Sequence, residues 1–304
     1  MPRRDLDLKS FMFTSTDSSL AFVVWAPAYN ILSGGTVALH GLAEDMHRLG
    51  CNVFIYSPKL IPGARTPLID DFGISELRKE GIIVVAIYPE IIVKNVLHAD
   101  YVIWWLLHFP GFHLNNWSGD RSWIDRIVCF HPDLAVECGA QAKLTFPLYD
   151  PAFFRPRSDY KRSEIILYVN RIRGFTDFHY EIPLKPTRLL KPEDSLSYSE
   201  LREIFWRTKT LISFEWSGTL KIAKMCGVPI LYVESPIFRR DGFHLSGGYG
   251  HAWEISEEAV IAAERTVHLE YLLAIETLHA WQPSLVAELR VWFAEAKLKG
   301  RVYS

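Results

Sequence analysis

Residues 21–56 read AFVVWAPAYNILSGGTVALHGLAEDMHRLGCNVFIY. At either end, Ala21–Trp25 and Asn52–Tyr56 are short apolar runs without polar alternation, the pattern of strands covered on both faces. Between them Val37, Leu39, Leu42 and Met46 make one stripe at helical spacing over Thr36–Leu49, and Gly50 supplies the stop. A strand, a helix and a strand in this order predict a parallel pair joined by a right-handed crossover.

The rhythm continues. Ile82–Ile87, Tyr101–Leu106 and Ile127–Phe130 are further buried-strand runs. Pro147–Arg157 (PLYDPAFFRPR), rich in proline and charge, breaks the pattern and reads as an interdomain hinge. A second series then begins: strands at Ile165–Val169, Thr210–Phe214 and Pro229–Val233, with helices at Tyr198–Arg207 and Thr219–Met225. The tail reads as a helix over Glu257–Leu278, a break at Pro283, and a last apolar stripe of Leu285, Leu289, Trp292, Phe293 and Ala296. The fold class expected is α/β with two Rossmann-like domains, residues 1–150 and 151–280, followed by a terminal helix over 281–304.

Composition narrows the classes. The chain has 304 residues, 49% hydrophobic and 13% aromatic, enough for two cores and unlike a disordered protein. Lysine plus arginine number 33 against 35 aspartate plus glutamate, a balance unlike that of a dedicated duplex-DNA binder. Cys51, Cys129, Cys138 and Cys226 are widely spaced, which argues against a zinc site or disulfide framework and for a reduced, cytoplasmic setting. Met1–Ser10 has no apolar core of the kind a signal peptide needs. Tyr101–Phe112 is too short to span a bilayer and contains His108, Pro110 and Gly111.

In open parallel sheets ligands gather at the carboxyl ends of the strands. Gly34 and Gly35, after Ser33, open the first helix, where bare amides attract anions. Phe214–Thr219 (FEWSGT) turns a strand into a helix, with hydroxyls on Ser217 and Thr219, amides at Ser217, Gly218 and Thr219 suited to a diphosphate, and Glu215 placed to accept from a ribose hydroxyl pair. Arg171 and Arg173 follow the strand Ile165–Val169, where guanidinium holds phosphate bidentately. His108, at the end of Tyr101–Leu107, falls where a sugar or acceptor contact is expected. The plain alternatives are a tight turn at Gly34-Gly35, an N-cap at Ser217, a solvated loop at Arg171 and a structural histidine at 108. Trp104, Trp105, Phe109, Phe112 and Trp117 read as core and loop packing before sugar stacking. His131, Asp133 and Glu137 make a poor metal set. Asp241–His251, rich in glycine, reads as a surface loop or lid. Neither G-x-G-x-x-G nor G-x-x-x-x-G-K-[ST] is present, which disfavours a standard dinucleotide dehydrogenase and a P-loop NTPase.

Four collinear segments resemble the retaining GT-B glycosyltransferases, glycosyltransferase family 4 above all. Gly34-Gly35 with Leu42-Ala43, Leu49-Gly50 and Val53 looks like that family's opening. Asp150, Phe154 and Pro156 fall at the spacing of its hinge. Leu167–Arg171 (LYVNR) is similar to the strand opening its second domain. Leu211–Phe214 and Met225–Pro229 (MCGVP) resemble its donor segment. The resemblance implies a GT-B fold: two Rossmann-like domains, a cleft between them that closes about the hinge, and a C-terminal helix crossing back. There are departures. Phe214 and Ile222 stand where the family's paired glutamates belong, with Glu215 one place late, and a lysine after the L-Y-V-G-R strand is missing, with Arg173 as its stand-in.

By that resemblance the protein is expected to move a hexose-type sugar from a nucleotide diphosphate sugar to an acceptor hydroxyl, with retention and without protein-bound metal or other cofactor. The nucleotide sugar serves as co-substrate. Arg171, Ser217, Gly218 and Thr219 would stabilise the leaving diphosphate, with Gly34 and Gly35 on the opposite wall. His108, Glu215 and Arg171 are the catalytic candidates. The acceptor stays open: saccharide, lipid-linked saccharide, protein or modified nucleic acid, the lipid-linked case making the protein peripheral at a membrane. Rival readings are a nucleotide-sugar epimerase of the same fold and a non-catalytic nucleotide-sugar binding module.

Overall fold

The computed structural model describes residues 19–31, 33–111, 118–131, 134–135, 138–170, 172, 182, 184–191, 194, 196–236, 238 and 249–302. The chain divides into two compact units, Met1–Leu148 with Ala280–Ser304, and Tyr149–His279.

The first unit contains β1 (Leu20–Trp25), α1 (Gly34–Arg48), β2 (Val53–Tyr56), α2 (Asp71–Lys79), β3 (Ile83–Pro89), β4 (Tyr101–Leu106), β5 (Arg126–Cys129) and β6 (Ala142–Lys143). The strands form one sheet in the order β2-β1-β3-β4-β5-β6, and every neighbouring pair is parallel. The uninterrupted apolar runs follow from burial of both faces. In β4, Tyr101, Ile103 and Trp105 enter the core shared with Leu39, Leu42 and Met46 of α1. Val102, Trp104 and Leu106 point the other way, to Ile74 of α2, as the two-residue period of a strand requires. Gly50 ends the first crossover at φ +82°, a conformation that suits glycine. The helix α2, absent from the sequence reading, starts where Asp70 Oδ1 accepts from the Gly73 amide at 2.8 Å.

The second unit contains β7 (Glu164–Tyr168), β8 (Arg188–Leu190), α3 (Tyr198–Arg207), β9 (Thr208–Ser213), α4 (Gly218–Met225), β10 (Ile230–Tyr232), β11 (His251–Ala252) and α5 (Glu257–Glu264). Its sheet, β11-β10-β9-β7-β8, is again parallel throughout. Both sheets therefore place their opening strand between their second and third. The strand order reverses between β1 and β3 in one and between β7 and β9 in the other. In the proline-rich segment Asp150 Oδ1 accepts from the Ala152 amide at 2.8 Å, and Phe154 is buried.

The C-terminal helix α6 (Val267–Val302) corrects two expectations. The helix expected over Glu257–Leu278 is interrupted at Arg265–Thr266, because the Gly250 amide donates to Thr266 Oγ1 at 2.9 Å and draws that residue towards β11. The break expected at Pro283 does not occur; the helix runs through it. Proline cannot supply the N–H owed to the His279 carbonyl, but packing holds the helix beyond it. Trp281, Leu285, Leu289 and Trp292 are buried in the first unit's core. The Trp281 indole donates to Asp45 Oδ2 at 2.7 Å, and Arg126 bridges Glu288 and Glu295, each at 3.1 Å. So α6 begins in the second unit and ends in the first. Of the glycine-rich segment expected to be a loop, residues 241–248 lie outside the described residues, and His251 pairs in β11.

Candidate functional site

Ligands of open parallel sheets sit at the carboxyl ends of the strands where the strand order reverses. In the first unit that point lies between β1 and β3. There α1 begins with Gly34 and Gly35, and the side chain of its N-cap residue, Ser33, makes no capping hydrogen bond. The loop before it is held from elsewhere: Thr36 Oγ1 donates to the Asn30 carbonyl at 2.7 Å and accepts from the Asn30 amide at 3.2 Å. Neither glycine has a positive φ. A Cβ on Gly34 would lie 3.4 Å from Leu148 Cδ1, and one on Gly35 3.7 Å from Leu107 Cδ1. What the glycines provide is a first helical turn without bulk of its own, and its amides have no cap from Ser33.

Leu107 leads to His108. The Phe109 amide donates to His108 Nδ1 at 2.8 Å, so the neutral imidazole carries its proton on Nε2. The Leu107 amide donates to Glu90 Oε2 at 3.1 Å. Glu90 is 5% exposed, and burial pushes its carboxyl up to about 7 despite this donor. It directly follows Pro89, the last residue of β3, whose carbonyl accepts from the Trp104 indole at 3.1 Å. The sequence reading missed Glu90. Its signal was a lone carboxylate directly after an apolar strand, with no motif spacing around it. Gly35, Leu107, His108 and Glu90 thus come together at the edge of one sheet. Trp104 and Trp105 belong to the cores on opposite faces of β4, while Phe112 and Trp117 lie outside the described residues.

In the second unit the reversal lies between β7 and β9. The turn leaving β9 is braced by Ser213 Oγ, which donates to the Glu215 carbonyl at 2.7 Å, and by Ser235 Oγ, which donates to the Phe214 carbonyl at 2.8 Å. Glu215 is 1% exposed. Its Oε1 accepts from the Asn170 amide at 2.7 Å and from that of Ile172 at 3.5 Å. The carboxylate thereby grips both neighbours of Arg171. Arg171 and Arg173 themselves lie outside the described residues. Ile222, at the position of the resembled family's second glutamate, is buried apolar core.

Ser217, Gly218 and Thr219 open α4. Ser217 makes no side-chain cap, and its Oγ is enclosed without a hydrogen-bond partner among the described residues. A Cβ on Gly218 would fall 2.3 Å from the Tyr149 hydroxyl, so the helix starts close beneath that ring because residue 218 has no side chain. The other end of α4 is compensated. Arg162 Nη2 donates to the Cys226 carbonyl at 2.8 Å, Nη1 donates to Gly227, and Gly227 takes φ +81°. A cation thus sits at the carboxyl end of α4, while its amino end has no cap from the Ser217 side chain. Among the described helices, α2, α3 and α5 have side-chain caps from Asp70, Ser197 and Ser256. Only the two helices at the strand-order reversals, α1 and α4, have a serine at the N-cap that does not cap.

Two parallel sheets of the same strand order, completed by a terminal helix that starts in one unit and ends in the other, define a GT-B type α/β protein. No model of a known protein family matches the chain, and no curated protein matches it in sequence. Among solved structures it resembles the glycosyltransferase SnogD from Streptomyces nogalater, at 13% identity over 90% of this chain and 99% of that one, with a TM-score of 0.49. A glycosyltransferase from Rickettsia africae matches at 11% identity over 92% and 99%, with a TM-score of 0.47. The T4 phage BGT in complex with its UDP-glucose substrate matches at 10% identity over 93% and 97%, with a TM-score of 0.39. These are likenesses of fold, and the fold itself rests on the strand order and the terminal helix. Among the described residues no helix is long and apolar enough to cross a membrane, and no cluster of three or more His, Cys, Asp or Glu is placed to hold a metal ion.

Proposed function

We propose that the protein is a glycosyltransferase that takes a sugar from a nucleotide diphosphate sugar and passes it to an acceptor hydroxyl, with retention and without a protein-bound metal. The observation that carries this reading is the pair of uncapped helix starts at the two strand-order reversals. In α2, α3 and α5 a serine or aspartate caps the helix, whereas the side chains of Ser33 and Ser217 do not cap α1 and α4. Open amides at a helix N-terminus suit a diphosphate, whose charge grows as the glycosidic bond breaks.

In the second unit the amides of Gly218 and Thr219, the hydroxyls of Ser217 and Thr219, and the guanidinium of Arg171 form the diphosphate site of this reading, with Arg173 beside it. Glu215 holds the amides of Asn170 and Ile172, the neighbours of Arg171 in sequence. In the first unit Gly34, Gly35 and His108 contact the sugar or the acceptor. Because Nδ1 of His108 is engaged by the Phe109 amide, its neutral ring carries the proton on Nε2. Retention and metal independence come from the resemblance of the Gly34-Gly35, Asp150–Pro156, Leu167–Arg171 and Met225–Pro229 segments to family 4 transferases.

Thermal-shift titration of the full chain with UDP-, GDP-, ADP- and dTDP-sugars tests the reading, since a ligand bound only by the native state raises the melting temperature. One of these is expected to stabilise the protein, and Thr219→Val and Arg171→Ala are each expected to weaken that binding about tenfold while the protein stays folded. No stabilisation by any of them, or unchanged affinity in both variants, rejects the assigned site. Turnover of the stabilising nucleotide sugar in the absence of any acceptor would favour an epimerase instead.

A further inference from the structure

We infer that Glu90 is a positioning residue for His108: by accepting from the amide of Leu107, the residue before it, the Glu90 carboxyl sets the turn in which the Phe109 amide fixes the imidazole with its proton on Nε2. Two amides of this turn are committed, that of Leu107 to Glu90 and that of Phe109 to the ring of His108. Without the carboxyl, the Leu107 donor would lose its acceptor and the turn would relax to satisfy it. The Phe109 to His108 bond, made between adjacent residues, depends on the backbone torsions of that turn.

Placement strengthens the assignment. Glu90 is the first residue past β3, at the reversal of strand order in the first sheet. Leu107, which it holds, adjoins Gly35 at the start of α1. Burying a carboxyl here has a cost, visible in its upward shift to about 7.

The inference deepens the proposed function, because the importance of His108 rests on that reading, but its test does not. Long-range proton–nitrogen spectra of the uniformly 15N-labelled full chain report the tautomer of each histidine ring, and His108→Asn assigns the signal. In the wild type His108 is expected to show an unprotonated, hydrogen-bonded Nδ1 and a protonated Nε2. In Glu90→Ala and Glu90→Leu, which have no acceptor, that signature is expected to give way to averaging between the two tautomers, and in Glu90→Gln, which keeps an oxygen for the Leu107 amide, to persist. Circular dichroism selects the variants that fold, and Glu90→Leu, close in size to the native side chain, decides if Glu90→Ala does not. A folded Glu90→Leu with the wild-type ring signature overturns the inference. If the signature responds as expected while His108→Asn leaves sugar transfer intact, Glu90 positions His108 and the assigned role of His108 in catalysis is what falls.

Discussion

Glu90 Oε2 accepts from the Leu107 amide at 3.1 Å inside a region that leaves the side chain 5% exposed. Burial raises the native carboxyl from 4.5 to about 7. The native state therefore holds a proton that the unfolded chain has already lost. Stability from this group is fully present below pH 4.5, declines as pH rises and is gone above about 7, a change of roughly 3 kcal/mol at 1.36 kcal/mol per pH unit. Glu90→Gln removes the titration. In urea melts at pH 5 and pH 8, its stability relative to wild type is expected to improve by most of that amount at the higher pH. A constant difference across the range would show that Glu90 titrates normally.

His251 slopes the other way. Burial, helped by the nearby Lys224 ammonium, lowers its imidazole to about 4, and its Nδ1 has no hydrogen-bond partner among the described residues. A lowered histidine contributes stability above about 6.5 that is lost as pH falls towards 4. This window overlaps that of Glu90, so each masks the other in the wild type. His251→Phe, beside Tyr232, is expected to flatten the acid limb and expose the Glu90 slope, read as a melting temperature that rises on acidification from pH 7 to 5. A wild-type profile in the variant would refute it.

Gly218 and Tyr149 are expected to be coupled. Gly218→Ala places a methyl 2.3 Å from the Tyr149 hydroxyl but 3.5 Å from Cζ of the same ring. The single substitution should destabilise by about 1–3 kcal/mol, although alanine is the better helix former. Tyr149→Phe removes the obstructing oxygen, and the double variant should recover most of the loss. Additive effects in the denaturation cycle would contradict the close approach.

The Asp45–Trp281 bond is a fourth target. Asp45→Ala strands the buried indole N–H and should cost about 1–3 kcal/mol, whereas adding Trp281→Phe removes the stranded donor and should return part of it. Loss in the double variant equal to the sum of the singles would show that the 2.7 Å bond contributes nothing specific.

Legibility in the sequence followed the range of the forces involved. Ala21–Trp25 and Tyr101–Leu106 announced buried strands because both faces are covered, a requirement written in consecutive residues. The starts of α1 and α4 were visible as Ser-Gly pairs. Glu90 was not visible, because its meaning lies in an amide 17 residues away. Glu215 was singled out for a ribose, and only the fold reveals that Oε1 serves Asn170 and Ile172. Pro283 misled because a local rule against proline in helices gave way to tertiary contacts on either side. The helix α2 escaped notice because its start rests on the single Asp70 cap and only Ile74 is buried.

The return of α6 to the first unit has a bearing on synthesis. Leu285, Leu289 and Trp292 fill the core against β1 and α1, yet a ribosome adds them only after the whole of the second unit. Until they emerge, the amino-terminal half carries an open greasy face that attracts chaperones and other nascent chains. The later-made half, Tyr149–His279, is contiguous. The half that is translated first is thus the half that finishes folding last.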